Sequence, residues 1–314
     1  MNNPLISIVI CCHNRGNLLS ETMASVFAQQ YKPVEIVVVD DGSTDNTQEL
    51  MATYGDRIRY FWQENRGIAS ARTNGCRLAR GELIAFQDDD DLMPSDRIVV
   101  LYEALREHPS AALALGDWAV MNGDGNLSGQ RSRVNIHVDN EEPILINDGY
   151  KAVLWPKVTP VPHTTLFRKA DGDRIGWFDT RFFHACEDTD FFARCGKLGP
   201  IVYVPKVVSF YRREHGSLYS NSVLLTYSRL LLFEKHLTTM EAEQKDLRKR
   251  LQFRMLQSLK QLAVYQSKGL KPPDSVSGDH LNRCLSLLGL RDHLAYTWLT
   301  LIKLPIRSLI LRRD

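Results

Sequence analysis

The chain's apolar run Leu83–Phe86 is followed, after Gln87, by four carboxylates in a row, Asp88-Asp89-Asp90-Asp91. Such a run, opened by Gly81, reads as a buried strand. Adjacent carboxylates repel, and burying one unpaired costs on the order of several kcal/mol. A positive partner resolves this, and at the carboxyl end of a strand in an open α/β sheet a divalent cation is the natural one. Asp88 and Asp90 are one residue apart, so on extended backbone both project the same way and could hold Mg²⁺ or Mn²⁺, with ligand phosphates completing the shell. The competing reading is a solvated acidic turn ahead of a helix, because Pro94 follows and carboxylates favour helix N-termini.

Four more stretches carry chemistry. Val37-Val38-Val39 ends in Asp40-Asp41-Gly42-Ser43-Thr44-Asp45; an acid there can accept hydrogen bonds from a base or ribose, or simply cap a helix. Gly67 and small residues open a helix carrying Arg72, and the free amides of such a helix start favour anions; an exposed Arg on an Ala-rich packing helix fits equally. Cys186-Glu187-Asp188-Thr189-Asp190 follows the turn Gly176-Trp177-Phe178-Asp179, and a carboxylate at a helix start among apolar groups suits a general base with a raised pKa, N-capping being the commoner use. Tyr211-Arg212-Arg213-Glu214-His215-Gly216-Ser217 ends a strand. Guanidinium matches diphosphate geometry, and His215 is a candidate third metal ligand, although a lone His is more often structural.

The elements that must position these groups alternate. Strands are expected at Leu5–Cys12, Val34–Asp40, Ile58–Trp62, Leu83–Phe86, Thr164–Arg168 and Ile201–Tyr211. Helices are expected at Asn17–Gln30, Ser43–Tyr54 (N-cap Ser43 or Thr44), Ile68–Ala79, Pro94–His108 and Asp188–Leu198. This alternation predicts an α/β fold with a mostly parallel sheet and helices on both faces. Glycines and prolines punctuate residues 122–160, where loops and short antiparallel pieces are expected. Beyond Leu218 the pattern is helical: Ser222–Leu237, Glu241–Ser267 and Asp279–Leu304.

With 314 residues, 44% of them hydrophobic, the chain can build a sizeable core, and a net charge of +2 argues against a nucleic-acid coat. Its six cysteines form no CxxC pair, which suits a reducing cytosol. The N-terminus lacks a basic region and runs directly into a strand pattern, so no signal peptide is expected, and no apolar stretch reaches the ~18–20 residues of a spanning helix. Residues 291–314 carry five Lys/Arg against two Asp, with Leu294, Trp298, Leu301, Ile302 and Leu309 on one helical face. Such a basic amphipathic tail can lie on an anionic membrane surface; packing on the protein or a second copy is the alternative.

In order, Ser7–Arg15, Glu35–Thr47, Asn65–Asn74, the acidic run with Pro94, the Gly176–Asp179 turn with Cys186–Arg194, and Tyr211–Ser217 resemble glycosyltransferase family 2. The resemblance covers about residues 5–220. It implies a GT-A, Rossmann-like domain over 1–220, with a nucleotide-binding half (1–120) and an acceptor half (121–220), followed by a helical region, 221–314. It implies that Cys11, His13, Arg15, Asp41, Arg72, Asp89 and Arg212 serve the nucleotide, that Asp88 and Asp90, with His215, hold Mn²⁺ or Mg²⁺, and that Asp188 is the base. The implied activity is inverting transfer of a sugar from a nucleotide-diphosphate sugar, a UDP-sugar being favoured, to a hydroxyl of a glycan or lipid-linked acceptor. The implied setting is cytoplasmic, at the inner membrane face, in envelope glycan assembly, with a homodimer as one use of the helical region. Two departures stand out. Cys11-Cys12-His13 replaces the usual Pro- or Thr-containing start followed by an aromatic. The QxxRW motif of processive synthases is absent, so transfer of one or a few sugars is expected. A sugar-1-phosphate nucleotidyltransferase would need a Gly-rich basic loop after the first strand, and a dinucleotide-dependent oxidoreductase a GxGxxG there; neither is present. A catalytically silent sugar-nucleotide-binding or scaffold protein is the remaining rival.

Overall fold

The computed structural model describes residues 3–122, 125–131, 142–182, 185–212, 222–267 and 278–289. They divide into two compact units, the described residues within 1–183 and 187–215, and those within 184–186 and 216–314.

The first unit is built on a nine-stranded sheet. Its chain order is β1 (Ile6–Cys12), α1 (Gly16–Phe27), β2 (Val34–Asp41), α2 (Thr47–Ala52), β3 (Arg59–Gln63), α3 (Ile68–Leu78), β4 (Leu83–Asp88), α4 (Arg97–Glu107), β5 (Leu113–Met121), β6 (Leu127–Arg131), β7 (Ile144–Ile146), α5 (Gly149–Leu154), β8 (Thr165–Arg168), α6 (Lys169–Ile175), α7 (Glu187–Cys195) and β9 (Ile201–Arg212). Spatially the strands run β3-β2-β1-β4-β8-β5-β9-β7, with β6 beside β5. Strands β1 to β4 pair parallel throughout, as do β5 and β9. Strands β6, β7 and β8 enter antiparallel. The chain moves outward from β1 to β3 and then returns to the other side of β1 as β4. That reversal is the switch point at which open α/β sheets bind ligands, and it puts Cys11 opposite Asp88.

Residues of β1 are buried on both faces, which is why the strand reads as a continuous apolar run. Ile6, Ile8 and Ile10 pack with Leu19, Met23 and Val26 of α1 and Ile98 and Leu101 of α4. On the other face α3 approaches closely: a Cβ on Gly75 would stand 2.4 Å from Val9 Cγ1 and 3.3 Å from Val39 Cγ2. Helices therefore cover both faces, as the alternation predicts.

Two local expectations change. Helix α2 starts at Thr47 after Asn46, not after Ser43 or Thr44; those residues are drawn into bonds with the neighbouring loop. Strand β5, fully buried, is hidden in the sequence by Gly116-Asp117. The pairing of β5 with β9 slips at these two residues, and a side chain at 116 would strike Val208 Cγ1 at 2.7 Å.

The second unit holds α8 (Ser222–Thr239), α9 (Lys245–Ser267) and α10 (Gly278–Leu287). Leu247, Leu251, Met255 and Leu259, four residues apart, form a buried stripe on α9. Arg248 closes the α8–α9 turn by donating to the carbonyls of Leu237, at 3.1 Å, and Met240, at 3.0 Å. Among the described residues no helix is long and apolar enough to cross a membrane. The expected basic tail, 291–314, and the end of the expected helix Asp279–Leu304 lie outside the described residues.

Candidate active site

The loops at the carboxyl ends of β1 and β2 are locked to one another. Asn14, left-handed at φ 53, donates its backbone N–H to Ser43 Oγ at 2.9 Å and accepts from Thr44 N at 2.7 Å. Asp45 accepts from Gly16 N at 3.0 Å and Thr47 N at 3.1 Å. The two carboxylates ending β2 then split their work. Asp40 accepts from Ser43 N and from Tyr60 Oη, each at 2.7 Å. Asp41 accepts from Gln63 Nε2 at 2.6 Å, Arg66 N at 2.9 Å and Gly67 N at 2.8 Å. Asp41 therefore fixes the entrance to α3 with both oxygens. Gly42, at φ 82, is required there, since its Cβ would meet Asn65 N at 2.8 Å.

After β4 the acidic run divides by exposure. The side chains of Asp88 and Asp90 are 31% and 26% exposed, whereas that of Asp91 is fully buried. Asp91 is a fastener: it accepts from Arg212 N at 2.9 Å and faces His163 Nδ1 at 3.3 Å. That same ring nitrogen lies 2.7 Å from Ser209 Oγ. The backbone of the run is held as well. Thr22 Oγ1 donates to the carbonyls of Asp89 and Asp91, at 3.1 and 2.9 Å. Arg212 Nε donates to Asp90 O at 3.0 Å, and its Nη2 reaches Glu21 at 2.6 Å. Buried Arg97 donates to Gln87 Oε1 at 2.9 Å and Phe86 O at 2.8 Å; burial pulls its guanidinium down to about 9.

Arginines also meet the exposed carboxylates. Arg15 lies 3.3 Å from Asp90, and buried Arg72 lies 3.1 Å from Asp88. His13 donates its backbone N–H to Asp89 at 3.3 Å. Repulsion still remains: Asp89 is pushed up to about 8, first by burial and then by the charges of Asp90 and Asp88. Oxygens of Asp88 and Asp91 and a ring nitrogen of His163 lie within 4.8 Å of one another. Asp91 is buried among protein partners, whereas Asp88 and Asp90 keep part of their carboxylates open to solvent. One arginine contact leaves a carboxylate with further lone pairs, and an all-oxygen donor set suits Mg²⁺ or Mn²⁺. The residues present fit such a cation.

Arg72 also reaches across the site. Its Nη1 donates to Glu187 Oε1 at 2.7 Å while its Nη2 holds Asp88. One buried guanidinium thus ties the end of β4 to the start of α7. Aromatic packing does the same: Phe86, just before the run, meets Phe178 edge-on at 5.5 Å, and Phe178 stacks on Phe191 of α7 at 4.4 Å. Arg194 bonds Asp190 at 2.9 Å and the carbonyls of Ile175 and Trp177 at 3.0 and 2.8 Å, clamping the Gly176–Asp179 turn to α7. Asp188 accepts from Thr189 N at 2.6 Å. Burial raises the Asp188 carboxyl, and Arg72 partly offsets this. Glu187 is pushed up to about 7 by burial and then by Asp188.

Asp88, Asp89, Asp90, Arg15, His13, Arg72 and Arg212 are thus linked through one network in the first unit, which Asp188 adjoins through its neighbour Glu187, with Cys11 buried on β1. His215 lies outside the described residues. Sequence reasoning missed Glu187, Arg97 and His163 as members of the network. Glu187 had a signal, its place beside Asp188; Arg97 and His163 are single residues on apolar elements with none.

Residues 7–176 match the family model of glycosyl transferase family 2. Glycosyltransferase GlyG of Streptococcus pneumoniae serotype 4 is 35% identical over 129 residues, 40% of this chain and 43% of that protein. The chain spans less than half the length of the curated relatives it matches. Among solved structures, S. aureus TarS 1-349 in complex with UDP-GlcNAc superposes with a TM-score of 0.64 at 17% identity, covering 97% of this chain and 83% of that one. The mannosyltransferase PcManGT from Pyrobaculum calidifontis, in complex with GDP-Man and Mn²⁺, gives 0.58 at 16% identity, covering 98% and 85%. Both likenesses speak to the fold.

Proposed function

The chain belongs to glycosyl transferase family 2, and from that premise we propose that it transfers a glycosyl group, with inversion, from a nucleotide-diphosphate sugar to a hydroxyl of a glycan or lipid-linked acceptor. The observation that carries the reading is the Arg72 bridge between Asp88 and Glu187, which sets a cation-ready pair of carboxylates and a candidate base in one site.

In this reading Asp88 and Asp90 hold Mn²⁺ or Mg²⁺, which when bound neutralises charge developing on the departing diphosphate. Arg15 and Arg72 orient Asp90 and Asp88, and Arg212 holds the backbone of the run through Asp90 O. Asp188 accepts the proton of the acceptor hydroxyl as that oxygen attacks the anomeric carbon from the face opposite the diphosphate. The C–O bond to the acceptor forms as the bond to the diphosphate breaks, so the anomeric configuration inverts. Cys11, His13 and Asp41 line the nucleoside end. The neighbours' UDP-GlcNAc, UDP and GDP-Man support a nucleotide-sugar donor, with UDP-sugars tried first. Transfer of one or a few sugars, an envelope-glycan acceptor, the domain limits at 220 and a membrane-facing or dimeric use of residues 221–314 belong to the same proposal.

The experiment is nucleotide release from a panel of UDP- and GDP-sugars with Mn²⁺, with and without acceptor glycans. Acceptor-stimulated release that stops with EDTA supports the proposal. Nucleotide binding with no release under any pairing would instead identify a silent binder.

A further inference from the structure

The helical unit carries a cluster to which transfer chemistry assigns no task. His280 and Cys284 stand four residues apart on α10, on one helix face. Glu234 of α8 reaches the same point, its Oε2 2.5 Å from His280 Nδ1. One donor atom from each of Glu234, His280 and Cys284 lies within 4.8 Å of the other two. The His280 and Glu234 side chains are 10% and 11% exposed, and Cys284 is fully buried. The other oxygen of Glu234 meets Arg283 Nε.

We propose that Glu234, His280 and Cys284 form a zinc site that fastens α10 to α8. A thiolate sulfur, an imidazole nitrogen and a carboxylate oxygen are the donors Zn²⁺ takes, whereas the oxygen set at Asp88 and Asp90 suits harder cations. Small adjustments bring the three donors to bonding distance, and the fourth tetrahedral position falls to water or a small ligand. Arg283 then has the outer role usual at such sites: it orients the Glu234 carboxylate through the oxygen the metal does not use. One thiolate and one carboxylate balance the charge of Zn²⁺, so Arg283, 58% exposed, stays at the solvent edge. Helix α10 spans only Gly278–Leu287, short enough to be marginal without an anchor.

The test uses the full chain and Co²⁺ as a spectroscopic probe, because a thiolate-to-Co²⁺ absorption band cannot arise from the acidic run. About one equivalent of Co²⁺ should give that band with tetrahedral visible absorption, and Zn²⁺ should displace it. Cys284→Ser should abolish the band, while Asp90→Ala should keep it. Glu234→Gln and His280→Asn should each weaken Zn²⁺ binding at least about tenfold. No thiolate band in the wild-type chain, as expected if the cluster is only an ion-paired contact, overturns the proposal. So does a band that survives Cys284→Ser, or Zn²⁺ affinity unchanged in both other variants, which decide the matter should Cys284→Ser fail to fold. The outcome is independent of the transferase reading.

Discussion

Glu187 and Asp188 are neighbours with different partners. Arg72 fixes Glu187, while Asp188 accepts from Thr189 at its own helix start. The proposed base role suits the second environment, a carboxylate buried enough to be basic and not tied up in an ion pair. Asp188→Asn should therefore lower transfer by about 10²–10⁴-fold, with nucleotide affinity within about twofold by titration. Retained turnover would remove Asp188 from the base role. Arg72 carries a different expectation. With 9% side-chain exposure it bonds two carboxylates at once, so Arg72→Met removes that contact from both. Breaking a buried pair on one side costs about 3–5 kcal/mol, to be read from urea denaturation. Arg72→Lys should restore only part of this, since a single ammonium cannot reproduce the guanidinium fork.

At the scale of elements, the proposed base would be delivered to the end of β4 by α7, and α7 is seated through glycines. Gly196 follows α7 and touches the start of α5 backbone to backbone: Tyr150 N donates to Gly196 O at 3.0 Å, and a Cβ on Gly196 would stand 2.4 Å from Gly149 C. Backbone cannot yield as a flexible side chain does. Gly196→Ala should thus displace α7, destabilise by about 1–3 kcal/mol and lower kcat more than nucleotide affinity, as calorimetry and single-turnover assays would show. None of this closeness is legible in the sequence, where Gly149 reads as loop punctuation and Gly196 as part of an expected helix, Asp188–Leu198, that in fact ends at Cys195. What the sequence does disclose follows one rule: it is clear where one face or one end of an element sets its residues. The apolar strands β1, β2 and β4 and the carboxylates that end them are readable for that reason. Strand β5 is not, because Gly116 serves a slip in its partner strand, and the α2 start is not, because Ser43 and Thr44 bond to another loop. The site is legible as types and order, Asp88, Asp90, Asp188 and Arg212 among them. The partners are not: that Arg72 joins β4 to α7, or that Asp41 holds the α3 entrance, depends on distances between segments far apart in the chain.

For the molecule as a whole, gathering carboxylates at one switch point sets stability against activity. Glu187 and Asp188 are both raised above their ordinary range, chiefly by burial, so the folded chain binds their protons more tightly than the unfolded chain does. For such groups the stabilisation is fully present below the unfolded pKa and is lost as pH rises through the folded one. Glu187 places that window between the ordinary 4.5 and about 7. If Asp188 is the base, as proposed, activity needs it ionised and moves the other way, falling as pH drops toward its raised pKa. Over the Glu187 window, then, the melting temperature measured without metal should decline, while kcat/KM should climb as pH rises past the raised Asp188 carboxyl. Glu187→Gln isolates the stability half, because the amide cannot ionise. The melting temperature of the variant minus that of the wild type should increase from pH 5 to pH 8, by the equivalent of up to a few kcal/mol. A difference that stays flat would mean that Arg72 cancels the burial of Glu187 in full. Mn²⁺ with UDP should raise the melting temperature most at the alkaline end, since a ligand that binds only the folded state adds stability by mass action and a cation at Asp88 and Asp90 relieves the repulsion that is greatest when every carboxylate of the run is charged.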